Sequence, residues 1–481
     1  MQKAITKYGL AAHLALLAVA PLFLFPFCGE AWTARTILWL TLLAAVWTAM
    51  EPSRRRDEML HDARARVALS VARDPLFWFS LVLAGLAAVR WANGGVKMAY
   101  DAENAVWSLA EPPLPFLPGG VSGTGCLPFA TALALVVLFQ ACRHALGKSA
   151  RVVFLFSSSF LAGVAAFVAG VACACGSDRA LGLSACPLTD ASFAGSAFGL
   201  HLMGSMVALA GAFERKWKQS LPLLAVGIGG SAVGLYLFAP DAVILVYALG
   251  ALLVLALALV YAQARLGAVA VAKCLAFLLV SSLLAVLFAM GAVPASVRDV
   301  RFAFLSGGEG GLLPEGFAAM RDALSGIAAK AWREHPWLGT GLGSFGLDIR
   351  FNATEADWAL FPHGQVGALN GWWQMLAERG IAGTVLFAAP LFFLAWTFAL
   401  RAAGAVKGAL AGSRAAEGIL SIHPACGLGV LAVAATAACG FVDHSFWRPE
   451  TAMAAGAMFA MAGSAFPPLK KKSDGESETE K

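Results

Sequence analysis

The chain is a succession of apolar stretches, each about 18–23 residues long, separated by short polar turns. A helix of that length rises about 30 Å and covers the hydrocarbon of a bilayer, so each stretch reads as a spanning helix. About twelve can be placed, near residues 10–28, 32–50, 75–92, 126–146, 152–175, 191–213, 221–238, 241–263, 267–290, 383–402, 424–442 and 451–467. The turns around Gly29 and Pro240 are the shortest. Residues 93–125 are rich in Pro and Gly, carry Asp101, Glu103, Trp107 and Glu111, and read as an irregular loop packed over the helices.

The expected fold is therefore all-α and polytopic. Residues 1–290 supply helices one to nine, 291–382 form one large loop, 383–467 supply helices ten to twelve, and 468–481 form a lysine-rich, then acidic and serine-rich, disordered tail. Composition agrees: 59% of residues are apolar and 13% charged, a balance a water-soluble surface does not accommodate. No internal repeat emerges, unlike the inverted repeats of many secondary transporters. The first apolar run lacks a convincing cleavage site and continues into the next, so it reads as a retained span.

Lysines and arginines fall on alternate connections: Lys3 and Lys7, Arg54 to Arg73, Arg143 to Arg151, Arg215 to Lys218, Arg401 to Arg414, and Lys470 to Lys472. Short basic connections stay cytoplasmic, which places both termini inside and the large loop outside. The net charge of +6 is this topological signal, so no nucleic-acid partner is implied. The arginines of residues 51–74 are placed to rest against anionic headgroups of membrane lipids. Nine cysteines are scattered, Cys173 and Cys175 form only a C-x-C, and no metal or cofactor spacing appears. Cys175 and Cys186 bracket one outward connection and are either a disulfide or two free thiols.

Chemistry concentrates in the large loop. After a glycine-rich stretch, Ser306 to Gly311, Pro314 and Glu315 open a helical pattern that runs to about His335. Met320, Leu324, Ile327, Ala328, Ala331 and Trp332 lie within about 60–80° of Phe317 on its wheel, a stripe suited to a membrane interface. Arg321 falls on that stripe. It binds a lipid-borne phosphate, snorkels, or pairs with a carboxylate such as Asp348. His335 to Phe345 then places glycines at 339, 341 and 343 in a tight turn that has neither the context nor the lysine of a phosphate-binding loop. Farther on, Asn370, Gln374 and Glu378 recur every four residues as one polar stripe, with His363 seven positions before it.

These residues resemble the O-antigen ligase and O-antigen polymerase family of bacterial inner-membrane proteins. The resemblance rests on Arg321, Trp332, the Pro336, Gly339, Gly341, Gly343, Phe345 turn, and Asn370 followed by Glu378, Gly380 and Gly383 before a span. The outward turn Phe441-Val-Asp-His-Ser-Phe-Trp-Arg-Pro449 is similar as well. Leu369 stands where the family has its histidine, and no arginine near Ala239-Pro-Asp241 matches the family's second arginine.

The resemblance implies transfer of a glycan from a polyprenyl-diphosphate carrier to a hydroxyl of a lipid or protein acceptor, without metal or cofactor. Arg321 is the expected stabiliser of the diphosphate leaving group and His363 the expected base, with His335 and His444 behind it. Arg301 and Arg448 (with Arg298 nearby), Asn370, Gln374 and Glu378 are the expected substrate contacts. With the histidine gone from 369, three readings stay open: His363 replaces it, the fold is used differently, or the protein is an inactive scaffold in envelope-polysaccharide assembly. A solute transporter is the competing class, but it needs charges buried along its spans, and only His201 lies mid-span. A hydrogen-bonded structural role is expected for His201, and snorkelling for Arg90 at a span end.

Overall fold

The computed structural model describes residues 2–50, 52, 58–93, 98–101, 106–109, 114, 126–174, 192–214, 220–239, 241–292, 317–360, 367–410, 424–441, 451, 454–458 and 460. Its elements are α1 (Gln2–Met50), α2 (Leu60–Ala72), α3 (Pro75–Ala92), β1 (Met98–Asp101), β2 (Val106–Leu109), α4 (Cys126–Cys142), α5 (Lys148–Ala174) and α6 (Ser192–Glu214). There follow α7 (Leu221–Phe238), α8 (Asp241–Leu266), α9 (Ala268–Ala292), α10 (Phe317–Glu334), α11 (Phe345–Asn352), α12 (Glu355–Leu360), α13 (Gly371–Leu410) and α14 (Pro424–Cys439).

The protein is a helical membrane protein. Among the described residues four helical segments are long and apolar enough to cross a bilayer: Ala150–Val168, Gly195–Phe213, Leu221–Phe238 and Ala242–Gln263. A fifth exists if α2 and α3, bent by 68° at a short break, count as one span. Shorter apolar stretches occupy Tyr8–Phe23, Arg35–Trp47, Leu133–Cys142, Ala268–Leu283 and Gly427–Cys439.

The sequence divides α1 into two spans, and its contacts agree although the helical assignment is continuous. A straight helix would hold residues 13 and 40 about 40 Å apart. Instead His13 Nε2 lies 3.0 Å from Leu40 O, and a Cβ on Gly9 would stand 2.5 Å from the Trp47 ring. The segment Gln2–Met50 therefore doubles back into two antiparallel arms.

At the centre lies α6, 89% buried over its apolar length, whereas α8 is only 33% buried and turns Leu245, Leu249, Leu252 and Val260 outward as a lipid-facing flank. Small residues allow the main chains of α5 and α7 to touch. A Cβ on Gly230 would stand 2.5 Å from Gly163 Cα, and one on Gly163 would stand 2.3 Å from Val226 O.

Asp74 fixes the bend between α2 and α3. Its Oδ1 accepts the N–H of Leu76 at 3.1 Å, capping α3, while Oδ2 pairs with Arg143 and lies 2.9 Å from His144 Nε2 at the end of α4. The basic segment before it contributes a helix the apolar pattern does not predict. There Arg66 makes two bonds to Glu58, at 2.8 and 3.1 Å, and Arg64 donates to Met50 O.

Among the described residues the only strands are β1 and β2, an antiparallel hairpin pairing Met98 with Leu109 and Asp101 with Val106. The loop expected to be irregular thus contains a small ladder. Asn93 closes it, donating from Nδ2 to Leu114 O and accepting from Leu114 N at 2.8 Å.

Replacing Gly230 by valine should force α5 and α7 apart. The expected cost is about 1–3 kcal/mol, seen as a lower melting temperature in detergent; an unchanged melting curve would refute the backbone contact.

Candidate functional site

Among the described residues, a further compact unit is built from α10, α11 and the start of α13. Met320, Leu324, Ile327, Ala328 and Ala331, the stripe read from the sequence, are buried against Phe345 and Ile349 of α11, Ala368 and Leu369, and Ala377 of α13. The amphipathic helix is present, but its apolar face is covered by protein, which corrects the membrane-interface expectation. Arg321 stands at the flank of that face, its side chain 27% exposed and bonded to Asp322 at 3.3 Å. Its pairing with Asp348 is overturned, because that carboxylate is engaged elsewhere.

The glycine turn meets α13 at a break. Gly380 has φ 64° and ψ −170°, so α13 is two helical arms joined at a point where the α-helical ladder fails. Such a break strands carbonyls of the first arm and N–H groups of the second. The turn satisfies both. Thr340 N donates to Ala377 O (2.8 Å) and Gly341 N to Glu378 O (3.1 Å), while Ile381 N donates to Pro336 O (2.9 Å) and Ala382 N to Trp337 O (3.1 Å). Gly339, Gly341 and Gly343 all have positive φ, and a Cβ on Gly339 would stand 2.4 Å from Arg379 N. One on Gly380 would stand 2.3 Å from the Trp337 carbonyl carbon, so the two glycines interlock back to back.

The turn is also tied to the membrane bundle. Leu342 is buried with Leu83 and Ala87 of α3 and Leu133 of α4. Arg90 of α3 is 1% exposed and donates from Nη2 to Leu338 O (2.7 Å) and from Nη1 to Glu378 O (3.1 Å). Snorkelling does not describe it: the guanidinium is inside the protein, on main-chain acceptors.

Two buried carboxyl groups flank the turn. Glu378 is 1% exposed. Its Oε2 accepts Gly343 N–H (3.0 Å), and its Oε1 accepts Phe345 N–H (3.4 Å) and the Gln374 amide (3.1 Å). Burial raises its pKa above the ordinary glutamate value, and those donors oppose the rise. Asp348, 8% exposed, accepts from Thr340 Oγ1 at 2.9 Å and from Ser344 Oγ at 3.4 Å, and the two hydroxyls lie 2.6 Å apart. Burial pushes Asp348 up to about 7, against the Thr340 and Ser344 hydroxyls and with help from the charges of Glu378 and Glu334. A carboxyl group titrating near neutrality is suited to accepting and returning a proton.

The polar stripe of α13 is confirmed as a geometric unit. Asn370 Oδ1 accepts the N–H groups of Trp372 and Trp373, both at 3.2 Å, Gln374 Oε1 accepts Ala368 N–H, and Gln374 reaches Glu378. The start of α13 is bound to the end of α14 through Gly371 N to Gly440 O (2.8 Å) and Trp372 Nε1 to Ala437 O (2.9 Å). Leu369 is 1% exposed within the apolar cluster and has φ 51°, a conformation uncommon for a leucine. His335 is exposed. His201 is fully buried, its ring beside the Ala18 main chain.

His363, Arg298, Arg301, Arg448, His444, Cys175 and Cys186 lie outside the described residues. Thr340, Ser344 and Asp348 belong to no motif named above, though their spacing of four is the same signal that marks Asn370, Gln374 and Glu378. Among the described residues no group of three or more His, Cys, Asp or Glu side chains could hold a metal ion. No family model and no curated protein matches the chain.

The raised pKa of Asp348 makes the stability of this unit depend on pH. The folded state holds a proton that the unfolded chain releases above its ordinary value of 3.8, so stability falls as pH rises from about 4 to about 7 and levels off above. The limiting slope is about 1.4 kcal/mol per pH unit. Hydrogen exchange of the 340–348 amides across that window should show the slope, and Asp348→Asn should lower it, the raised Glu378 contributing in the same direction; equal slopes in both proteins would disprove the assignment.

Proposed function

We propose that the chain is a divergent member of the O-antigen ligase and O-antigen polymerase family and an enzyme of glycan transfer at a bacterial inner membrane. In this reading it has about twelve spans, both termini are cytoplasmic, and residues 291–382 face the periplasm. The donor is a glycan on an undecaprenyl diphosphate carrier and the acceptor a hydroxyl of another lipid-linked or protein molecule. One observation carries this reading. The two motif segments on which the resemblance rests, 336–345 and 370–383, are separated by residues 346–369 yet interlock through the hydrogen bonds around Gly339 and Gly380. Sequence similarity of a random kind gives no reason for those segments to meet.

The chemistry asks little of the protein. As the glycosidic carbon leaves its diphosphate, negative charge grows on the phosphate oxygens, and arginines such as Arg321, Arg301 and Arg448 are suited to neutralise it. The attacking hydroxyl needs its proton removed, the role assigned to His363. No metal or cofactor enters this scheme, and the remaining partners are the surrounding lipids.

A second reading, a non-catalytic scaffold in envelope-polysaccharide assembly, is favoured by Leu369. At the position of the family's histidine its side chain is buried among Leu324, Phe345 and Ile349.

Deleting the gene should cause undecaprenyl-linked glycans to accumulate while the finished envelope polymer declines, read by mass spectrometry of extracted lipids. Unchanged carrier-linked pools would exclude the transfer reading. With the purified protein, His363→Ala should lower turnover by about 10²-fold or more. Undiminished turnover would remove His363 from the scheme, and its loss would count against the scaffold.

A further inference from the structure

Arg90 is an arginine at the end of an apolar helix, and no sequence motif discussed above includes it. Buried ionisable groups at such places are retained at a cost and are functional hypotheses by default. Its surroundings narrow the role. The guanidinium bridges two main-chain carbonyls that belong to opposite sides of the interlock: Leu338 O, next to Gly339, and Glu378 O, two residues before the break at Gly380. Glu378 O is a carbonyl that an unbroken helix would have bonded to Ala382 N–H; here that N–H goes to Trp337 O instead. A cation at the carbonyl end of a helical arm is favoured by the helix dipole, and a planar guanidinium can serve two acceptors at once.

We infer that Arg90 is a positioning residue for the glycan transfer proposed above: it fixes the 336–345 turn and the first arm of α13 against the membrane bundle, and so fixes the turn's height relative to a lipid-borne donor. This rests on the transfer reading. The apolar core of the loop unit does not involve Arg90, so that core persists when the guanidinium is removed while the turn at the interlock loosens. What is lost is its registration with α3. A carrier lipid arrives in the plane set by the bundle, while the carboxyl groups of Glu378 and Asp348 sit in the loop unit. Misplacing one frame against the other by a fraction of an ångström weakens reaction geometry more than ground-state binding.

The test uses the full chain in lipid nanodiscs with an undecaprenyl-diphosphate-linked oligosaccharide as donor, comparing wild type, Arg90→Gln and Arg90→Lys. Arg90→Gln should lower kcat about 100-fold with KM for the donor changed less than about threefold, and Arg90→Lys, whose ammonium is a single point charge, should fall between. Hydrogen exchange at the amides of 340–345 and 381–382 should quicken in Arg90→Gln while exchange in α5 to α7 stays at the wild-type rate. An unchanged kcat in a folded Arg90→Gln protein overturns the inference. So does a loss that disappears when rates are normalised to folded protein, or wild-type exchange rates at the turn. A wild-type protein without transfer activity overturns the reaction, and with it the catalytic importance of Arg90, whereas slow exchange in the variant overturns the clamp itself.

Discussion

A helix cannot be interrupted inside a protein without leaving hydrogen-bonding groups on both sides of the cut, and each group left unmet costs about 1–3 kcal/mol. The break at Gly380 sets that condition for the loop unit. The turn 336–341 answers it with two donors and two acceptors, which must come within bonding distance of the broken main chain. Only residues without side chains fit where Gly339 and Gly380 face each other. Everything else in the unit follows from that contact: Leu342 is delivered to α3 and α4, Glu378 is brought under the N–H groups of Gly343 and Phe345, and Arg90 finds its carbonyls.

Much of this frame was legible in the residues. The α10 helix, the glycine turn and the polar stripe of α13 fall where periodicity and glycine spacing place them. The helices α3 and α5 to α9 match the apolar stretches within a few residues. What could not be read was the partner of each face. Periodicity says that Met320, Leu324 and Ile327 share a side, but it does not say whether lipid or Phe345 and Ile349 cover it. Likewise, an arginine at the end of a span is consistent with snorkelling until a carbonyl from a residue nearly three hundred positions away arrives beside it. The α2 helix has no legible apolar pattern because its arginines mask a short apolar face, Ala63 and Val67.

The two carboxyl groups show how one environment serves two ends. Glu378 receives two main-chain N–H groups and an amide, a set that fixes the turn whichever way its proton moves. Asp348 receives hydroxyls, which can turn to donate or to accept, so its proton can come and go without displacement of the surrounding heavy atoms. The two groups thus differ in what surrounds them: main-chain and amide donors fix the first, and hydroxyls that can reorient meet the second.

Beyond the interlock, α12 stands apart. Its start is held by Thr354 and Asp357, which cap one another through N–H and hydroxyl bonds of 2.8 Å, and it buries none of its own side chains. Trp358 and Leu360 remain nearly half exposed. A segment that closes locally and contributes nothing to the unit's interior can be lengthened, shortened or exchanged while the frame beneath it stays constant. Diversity among chains built on this frame is thus expected to collect at this segment, and a graft of residues 355–360 between two such chains would carry its character without its scaffold.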